Sequence, residues 1–268
     1  MKAFVLEKYG HPMREVSMPE PTAGPRQVLV RMVAAGVNHA DERTRAGELK
    51  AVFRLDLPQV MGGELSGDVI AVGEKVTEFA VGDAVYAYTG VVAMGTFAEA
   101  VAVDADALAP TPASIDPVAA ASLPVVALTA WQALVEIGHL QPGQRVLVHG
   151  GSGGVGSVAI QLAKHLGATV VTTASARNAE FVRGLGADEV IDYRTDDFVA
   201  RLAGNPVDLV LDTQGGDTTT RSLTVVRPGG TVVGVAGTPD PHLADQAGAG
   251  KVVKLALAAV SLPLRRRA

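Results

Sequence analysis

Cysteine is absent from all 268 residues. Its absence excludes disulfides, thiolate nucleophiles and every zinc site that needs sulfur ligands. It also suits a reducing compartment, and a cytoplasmic protein is expected. Positive charge is scarce: 23 Lys and Arg against 28 Asp and Glu give a net charge of −5. The basic cluster Arg265-Arg266-Arg267 is isolated at the end, and no basic stripe suited to nucleic acid exists. No apolar run reaches the ~18 residues of a membrane-spanning helix. The longest candidate is Leu255–Leu264. No signal peptide is evident, since Met1-Lys2 is followed by a short apolar stretch before Glu7 and Lys8. The YxxxK pair of short-chain dehydrogenases is missing too, because none of Tyr9, Tyr86, Tyr88 or Tyr193 has Lys four residues on.

Glycine is in excess, at 30 residues, or about 11% against an average near 7%. Hydrophobic residues make up 48%, enough for a substantial core in one large domain or two. Roughly the first 115 residues read as short strands and turns. Gln27–Ala35 and Phe97–Val103 are strand-like, and glycines punctuate between them. This pattern predicts a small barrel or sandwich, with one short helix over Asn38–Arg45. Asp116 and Pro117 suit an N-cap and first helical position, and Pro124 divides the helical stretch that follows.

After Pro142-Gly143 the rhythm becomes strand, helix, strand. Strands are predicted at Arg145–His149, Thr169–Thr173, Glu189–Asp192, Val207–Asp212 and Thr231–Ala236. Helices are predicted at Val155–Leu166, Ala179–Leu185, Asp196–Leu202 and Thr218–Val226, with a turn at Gly229-Gly230. Such alternation implies a parallel sheet covered on both faces.

Gly151-Ser152-Gly153-Gly154-Val155-Gly156 has GxGxxG spacing between a predicted strand and helix. In that context the first glycine permits the turn, the second lets backbone approach a pyrophosphate, and the third lets helix and strand pack closely. Free N–H groups at the helix start then hold the anion. An NAD site places a carboxylate about 20 residues later, at the end of the second strand. Here Thr172 to Asn178 holds no acid, and Ser175 and Arg177 stand there instead. A guanidinium suits a phosphate, so NADPH is favoured over NADH.

With these segments in view, the chain resembles the medium-chain dehydrogenase/reductase superfamily, in its zinc-free quinone oxidoreductase (zeta-crystallin-like) branch. The resembling segments are Ala34–Leu49, Leu57–Gly73, Ala121–Leu134, Val146–Ala168 and Leu185–Arg194. The resemblance implies a GroES-like β-barrel domain over residues 1–117 and a doubly wound Rossmann domain over 118–240. A truncated, helical, apolar and basic tail over 241–268 is expected after them, lacking the family's sixth strand. Zinc-dependent members carry cysteine and histidine ligands where Asn38 and Gly63 stand here, so no metal is expected.

The resemblance also implies hydride transfer from NADPH to a quinone or an α,β-unsaturated carbonyl, in a cleft between the domains. Asn38 would face the nicotinamide end, Thr129 the nicotinamide ribose, and Tyr88 the substrate. Ser152, Gly154 and Val155 would hold the pyrophosphate, and Ser175, Arg177 and Tyr193 the 2′-phosphate. Thr213, Ala236 and Gly237 would line the nicotinamide pocket. Asn38 equally suits a helix cap, and Asp41 is expected to pair with nearby arginines. The alternative function is an NADPH-binding structural or regulatory protein without turnover. The partners expected are a small-molecule acceptor and a second copy of the chain, with neither nucleic acid nor membrane insertion.

Overall fold

The computed structural model describes residues 1–50 and 54–236. They form two compact units, one over Met1–Val125 and one from Val126 onward. The predicted tail over 241–268, with its Leu255–Leu264 helix, lies outside the described residues.

The first unit opens with β1 (Lys2–Leu6) and β2 (Arg14–Ser17), followed by β3 (Gln27–Gly36) and α1 (His39–Ala46). Next come β4 (Gln59–Val60), β5 (Glu64–Val72), β6 (Ala84–Tyr88), β7 (Ala100–Asp104) and β8 (Leu108–Pro110). A five-stranded sheet runs β7-β3-β5-β6-β8, and a three-stranded sheet runs β2-β1-β4. All the pairings are antiparallel. Val28 and Val30 of β3, Leu65 and Val69 of β5, and Val101 and Val103 of β7 alternate inward to form its core. This is the GroES-like barrel domain of the sequence resemblance.

Two helices follow. α2 (Pro117–Ala120) starts where Asp116 Oδ1 accepts the N–H groups of Val118 and Ala119, at 2.8 and 3.3 Å. Proline at the first helical position costs nothing, because its N–H would have no partner there. α3 (Pro124–Trp131) restarts at the second proline and ends in a wider π turn over Gln132–Ile137.

The second unit alternates strictly. Its strands are β9 (Arg145–Val148), β10 (Thr169–Ala174), β11 (Glu189–Asp192), β12 (Val207–Asp212) and β13 (Val226–Gly234). Its helices are α4 (Gly154–His165), α5 (Ala179–Gly184), α6 (Phe198–Leu202) and α7 (Asp217–Ser222). The strands are parallel in the order β11-β10-β9-β12-β13. Central β9 divides its side chains between two cores. Val146 and Val148 pack with Ala159, Ile160 and Ala163 of α4 on one face. Leu147 packs with Phe198, Leu202 and Val225 on the other. Covering both faces explains why β9 reads as a continuous apolar run. This is the Rossmann sheet expected from the strand–helix rhythm.

The fifth strand departs from the sequence prediction. The helix predicted over Thr218–Val226 stops at Ser222, and the strand already begins at Val226. Gly229-Gly230 is not a separate turn. It lies within an irregularity where Asp208 of β12 alone stands opposite Arg227, Pro228, Gly229 and Gly230. Gly229 has φ +79°, and a Cβ on Gly230 would fall 2.6 Å from the Asp208 carbonyl. Pro228, which has no N–H to pair, belongs in such a bulge.

Candidate functional site

In the second unit the chain leaves β9 through His149 and Gly150 and enters α4 at Gly154. Gly150 has φ +66°, a left-handed conformation that glycine adopts without strain. A Cβ on Gly151 would lie 2.0 Å from Thr172 Oγ1, and one on Gly156 would lie 2.3 Å from the Gly150 carbonyl. Neither position admits a side chain. Gly153 is different: its Cβ would meet only the Gly150 carbonyl, at 3.3 Å. Gly153 and Gly154 are exposed. Two of the three spaced glycines thus close the strand against the helix, and the middle one bares its backbone. Gly153 caps α4 without a side chain, leaving first-turn N–H groups free for an anion.

A cavity of about 520 Å³ lies beside this turn, lined by Ser152, Gly153, Thr173, Tyr193, Gln214 and Arg221 among others. Its floor is His149, which is 2% exposed. His149 Nε2 lies 3.0 Å from Ser222 Oγ and Nδ1 3.3 Å from Thr173 Oγ1. Burial, which disfavours the charged ring, pushes its pKa down to about 4.

The residues after β10 complete this region. Ser175 is buried at the strand end, while Arg177 is exposed. Arg145, Arg201, Arg221 and Arg227 each lie against a carboxylate. Among the described residues Arg177 has no such partner. Tyr193 is 60% exposed, with the Arg194 guanidinium 5.8 Å from its ring centroid. Asp192 ties the two loops together, since Oδ2 accepts the Ala176 N–H at 2.9 Å and Oδ1 the Arg194 N–H at 3.0 Å. Asn178 adds a link that the sequence reading missed: its Nδ2 donates to Ser152 Oγ at 2.9 Å. The structure therefore brings Ser152, Ser175, Arg177 and Tyr193 into one neighbourhood.

Three other sequence candidates border it. Val155 is half-buried and packs on the core beneath α4. Thr213 Oγ1 donates to the His149 carbonyl at 2.7 Å and accepts from Gln214 Nε2 at 2.8 Å, so it holds the loop. The Ala236 carbonyl approaches Gly215 so closely that a Cβ there would be 2.4 Å away. Gly237 lies outside the described residues. Thr129 is half-buried in the second turn of α3.

In the first unit Asn38 and Tyr88 converge on a residue the sequence reading passed over, Glu64. Glu64 is 2% exposed. Oε1 accepts from Asn38 Nδ2 at 2.7 Å, and Oε2 accepts the Val125 N–H at 2.8 Å. Tyr88 stands directly across from Glu64 in the β5–β6 register. Burial, and then the carboxylates of Asp41 and Glu64, push the Tyr88 hydroxyl up to about 12. A Cβ on Gly63 would sit 3.3 Å from the Tyr88 ring.

Asp41 corrects one expectation. Among the described residues it pairs with no arginine; Arg43 and Arg45 take Glu48 and Glu42. Its Oδ2 instead accepts the Asn38 main-chain N–H at 2.8 Å, closing the helix start from the third position. Burial, with Glu64 nearby, raises its pKa.

Comparison with known proteins adds the following. Residues 24–113 match the alcohol dehydrogenase GroES-like domain. Residues 154–258 match the zinc-binding dehydrogenase domain. The solved structure of an alcohol dehydrogenase superfamily protein from Novosphingobium aromaticivorans is 41% identical, with a TM-score of 0.83. That match covers 96% of this chain and 76% of the other. The Escherichia coli quinone oxidoreductase, solved with NADPH, is 28% identical with a TM-score of 0.80 over 92% of this chain and 78% of its own. Among curated proteins, the bovine (Bos taurus) "NAD(P)H oxidoreductase RTN4IP1, mitochondrial" is 37% identical over 246 residues, 83% of this chain. This chain spans only 62% of that relative's length.

A zinc ion does not suit the donors present. The chain has no thiolate to offer, Gly63 has no side chain, and the Asn38 amide nitrogen is taken by Glu64. Among the described residues no group of three His, Asp or Glu gathers as a metal site. No described helix is long and apolar enough to cross a membrane.

Proposed function

The chain belongs to the medium-chain dehydrogenase/reductase superfamily, and from that premise we propose that it is a zinc-independent, NADPH-dependent reductase of quinones or α,β-unsaturated carbonyls. The observation that carries the reading is the turn after β9. Its outer glycines are fixed by steric contact, and its middle glycine is bare toward the cavity. That is the form a backbone takes to receive a pyrophosphate. Ser152, Gly153 and Gly154 hold the diphosphate. Ser175, Arg177 and Tyr193 surround the 2′-phosphate, where the carboxylate-free guanidinium of Arg177 selects NADPH. Thr129, Val155, Thr213 and Ala236 border the rest of the dinucleotide.

When bound, the reduced nicotinamide supplies the hydride. The chain's part is to position the acceptor and stabilise its developing oxyanion. Asn38 orients the acceptor through its amide, with Tyr88 beside it. A Tyr88 hydroxyl held near 12 stays protonated at neutral pH and serves as a hydrogen-bond donor. Solvent delivers the final proton. Self-association and a cytoplasmic location belong to the same reading.

The test is the initial rate of absorbance loss at 340 nm with purified chain, NADPH and an ortho-quinone, with NADH in parallel. Saturable NADPH oxidation that exceeds the NADH rate is expected. No rate above the blank, from a sample that still binds NADPH, overturns the reading in favour of a binder without turnover.

A further inference from the structure

We propose that Glu64 is a positioning residue that sets which end of the Asn38 side-chain amide faces the acceptor. The inference rests on the reading of Asn38 given above and adds the group that orients it.

The two ends of an asparagine amide differ in chemistry but hardly in shape, and rotation by half a turn exchanges donor and acceptor. A carboxylate only accepts. Beside Glu64 Oε1, at 2.7 Å, the Asn38 amide must therefore present its nitrogen. The capping box that opens α1 turns its carbonyl oxygen toward the Asp41 main-chain N–H, which leaves the second N–H for the acceptor. The carboxylate is itself immobile. Its other oxygen receives the Val125 N–H at 2.8 Å, in the first turn of α3, where a negative charge is favoured. Asp41 fixes the Asn38 main chain at the same time.

The fold makes room for this arrangement. Gly36, the last residue of β3, stands opposite Glu64 in the β3–β5 register. A Cβ there would fall 2.1 Å from Glu64 Oε1. The strand thus carries a glycine where any side chain would displace the carboxylate from Asn38. A buried carboxylate beside a second buried carboxylate, Asp41, is a costly way to fill space. Glutamine is almost the same shape, but its single carbonyl cannot face both donors with both ends of its head group.

The experiment compares full-length wild type with Glu64→Gln, the swap Asn38→Asp/Glu64→Gln, and Gly36→Ala. For each, kcat and KM for the quinone are measured, with the NADPH dissociation constant from fluorescence titration. In Glu64→Gln, kcat is expected to fall about tenfold to a hundredfold, the scale of a misplaced group, while NADPH affinity stays within about twofold. In the swap, the new glutamine donates to the new carboxylate and still accepts from Val125, so NADPH affinity is kept, while kcat stays low because residue 38 no longer carries an N–H. Gly36→Ala keeps the carboxylate but pushes it aside, and is expected to reproduce the Glu64→Gln loss.

Wild-type kcat in Glu64→Gln overturns the proposal. So does a joint loss of kcat and NADPH affinity that the swap does not relieve, since that marks a merely structural role. If Glu64→Gln does not fold, Gly36→Ala decides: a selective fall in kcat supports the positioning role, and wild-type kcat overturns it. Failure of wild type itself to reduce any quinone overturns the functional reading first, and is recognised before any variant is compared.

Discussion

The turn after β9 and the Asn38–Glu64 pair at the end of β3, the two proposed recognition elements, are built in opposite ways. The turn works by what is missing: Gly151 and Gly156 leave no space for a Cβ, and Gly153 leaves its backbone bare. The pair works by what is buried, namely a carboxylate with both oxygens committed to donors far away in sequence. The first kind of site is rigid because backbone packs on backbone. The second is rigid because its charge and hydrogen bonds admit one arrangement. Substitutions should therefore act differently in the two: in the turn the harm comes from a methyl group meeting backbone, and in the pair from any change that alters or displaces the accepting carboxylate.

Gly156→Ala should have the largest effect. Its Cβ would meet the Gly150 carbonyl and the Gly151 Cα, at 2.3 and 2.8 Å, and neither can rotate away. Overpacking against backbone should reach about 3 kcal/mol, or roughly 6–12 °C in the unfolding midpoint of a chain this size, with NADPH binding lost. Gly153→Ala sharpens the contrast. It should leave the midpoint within about 2 °C, since a surface change is usually within ±0.5 kcal/mol, yet still weaken NADPH. Equal loss of stability in both variants would break the distinction between packing glycine and binding glycine.

His149 gives the next largest effect, and it depends on pH. Its folded pKa is about 4, against 6.5 for the free side chain. The unfolded chain thus takes up a proton first as pH falls. Stability from this residue is full above pH 6.5, declines between 6.5 and about 4, and is lost below that. At about 1.4 kcal/mol per pH unit, the upper limit is about 3 kcal/mol. Unfolding midpoints across this window, with the ring titration followed by NMR, check the sign. An imidazole titrating near 6.5 in the folded protein refutes the assignment.

Arg177→Ala comes third. Loss of a charged hydrogen bond of about 1.5–3 kcal/mol should weaken NADPH tenfold to a hundredfold, at ~1.4 kcal/mol per decade. NADH should be unaffected. Parallel titrations with the two nucleotides decide it, and an equal loss for both would show that Arg177 does not read the 2′-phosphate.

The contrast between the two regions also explains what the sequence made legible. A site made of glycine spacing is a string, and Gly151 to Gly156 could be read as one, with the strand before it and the helix after. The order of strands and helices in the second unit was legible for the same reason, since each apolar period is local. Glu64 was not, because its partners Asn38 and Val125 lie 26 and 61 residues away. One signal was present: an acid interrupts the apolar phase of β5 between glycines and leucine. Asp41 was misread because charge alone suggested arginine partners, whereas its place three residues after Asn38 makes it a cap. The early start of β13 was hidden by its own bulge, whose proline and glycines imitate a loop.

Asn178→Ala should have the smallest effect, and it tests the contrast from within the turn. Asn178 is a side chain that braces a site otherwise built from backbone. Its Nδ2 donates to Ser152 Oγ at 2.9 Å, joining the residues after β10 to the turn after β9. If the glycines alone fix the turn, deleting this brace removes one partly buried neutral hydrogen bond, about 0.5–1.5 kcal/mol. NADPH affinity should then fall by no more than about tenfold, and NADH affinity should fall in proportion, because the place proposed for Ser152 is at the diphosphate common to both. The unfolding midpoint should move by only a few degrees at most. Nucleotide titration and thermal unfolding of one preparation measure both quantities. A loss of affinity that rivals Gly156→Ala would mean that side chains, not steric exclusion at glycine, hold the turn in its binding form, and the two regions would then be built alike.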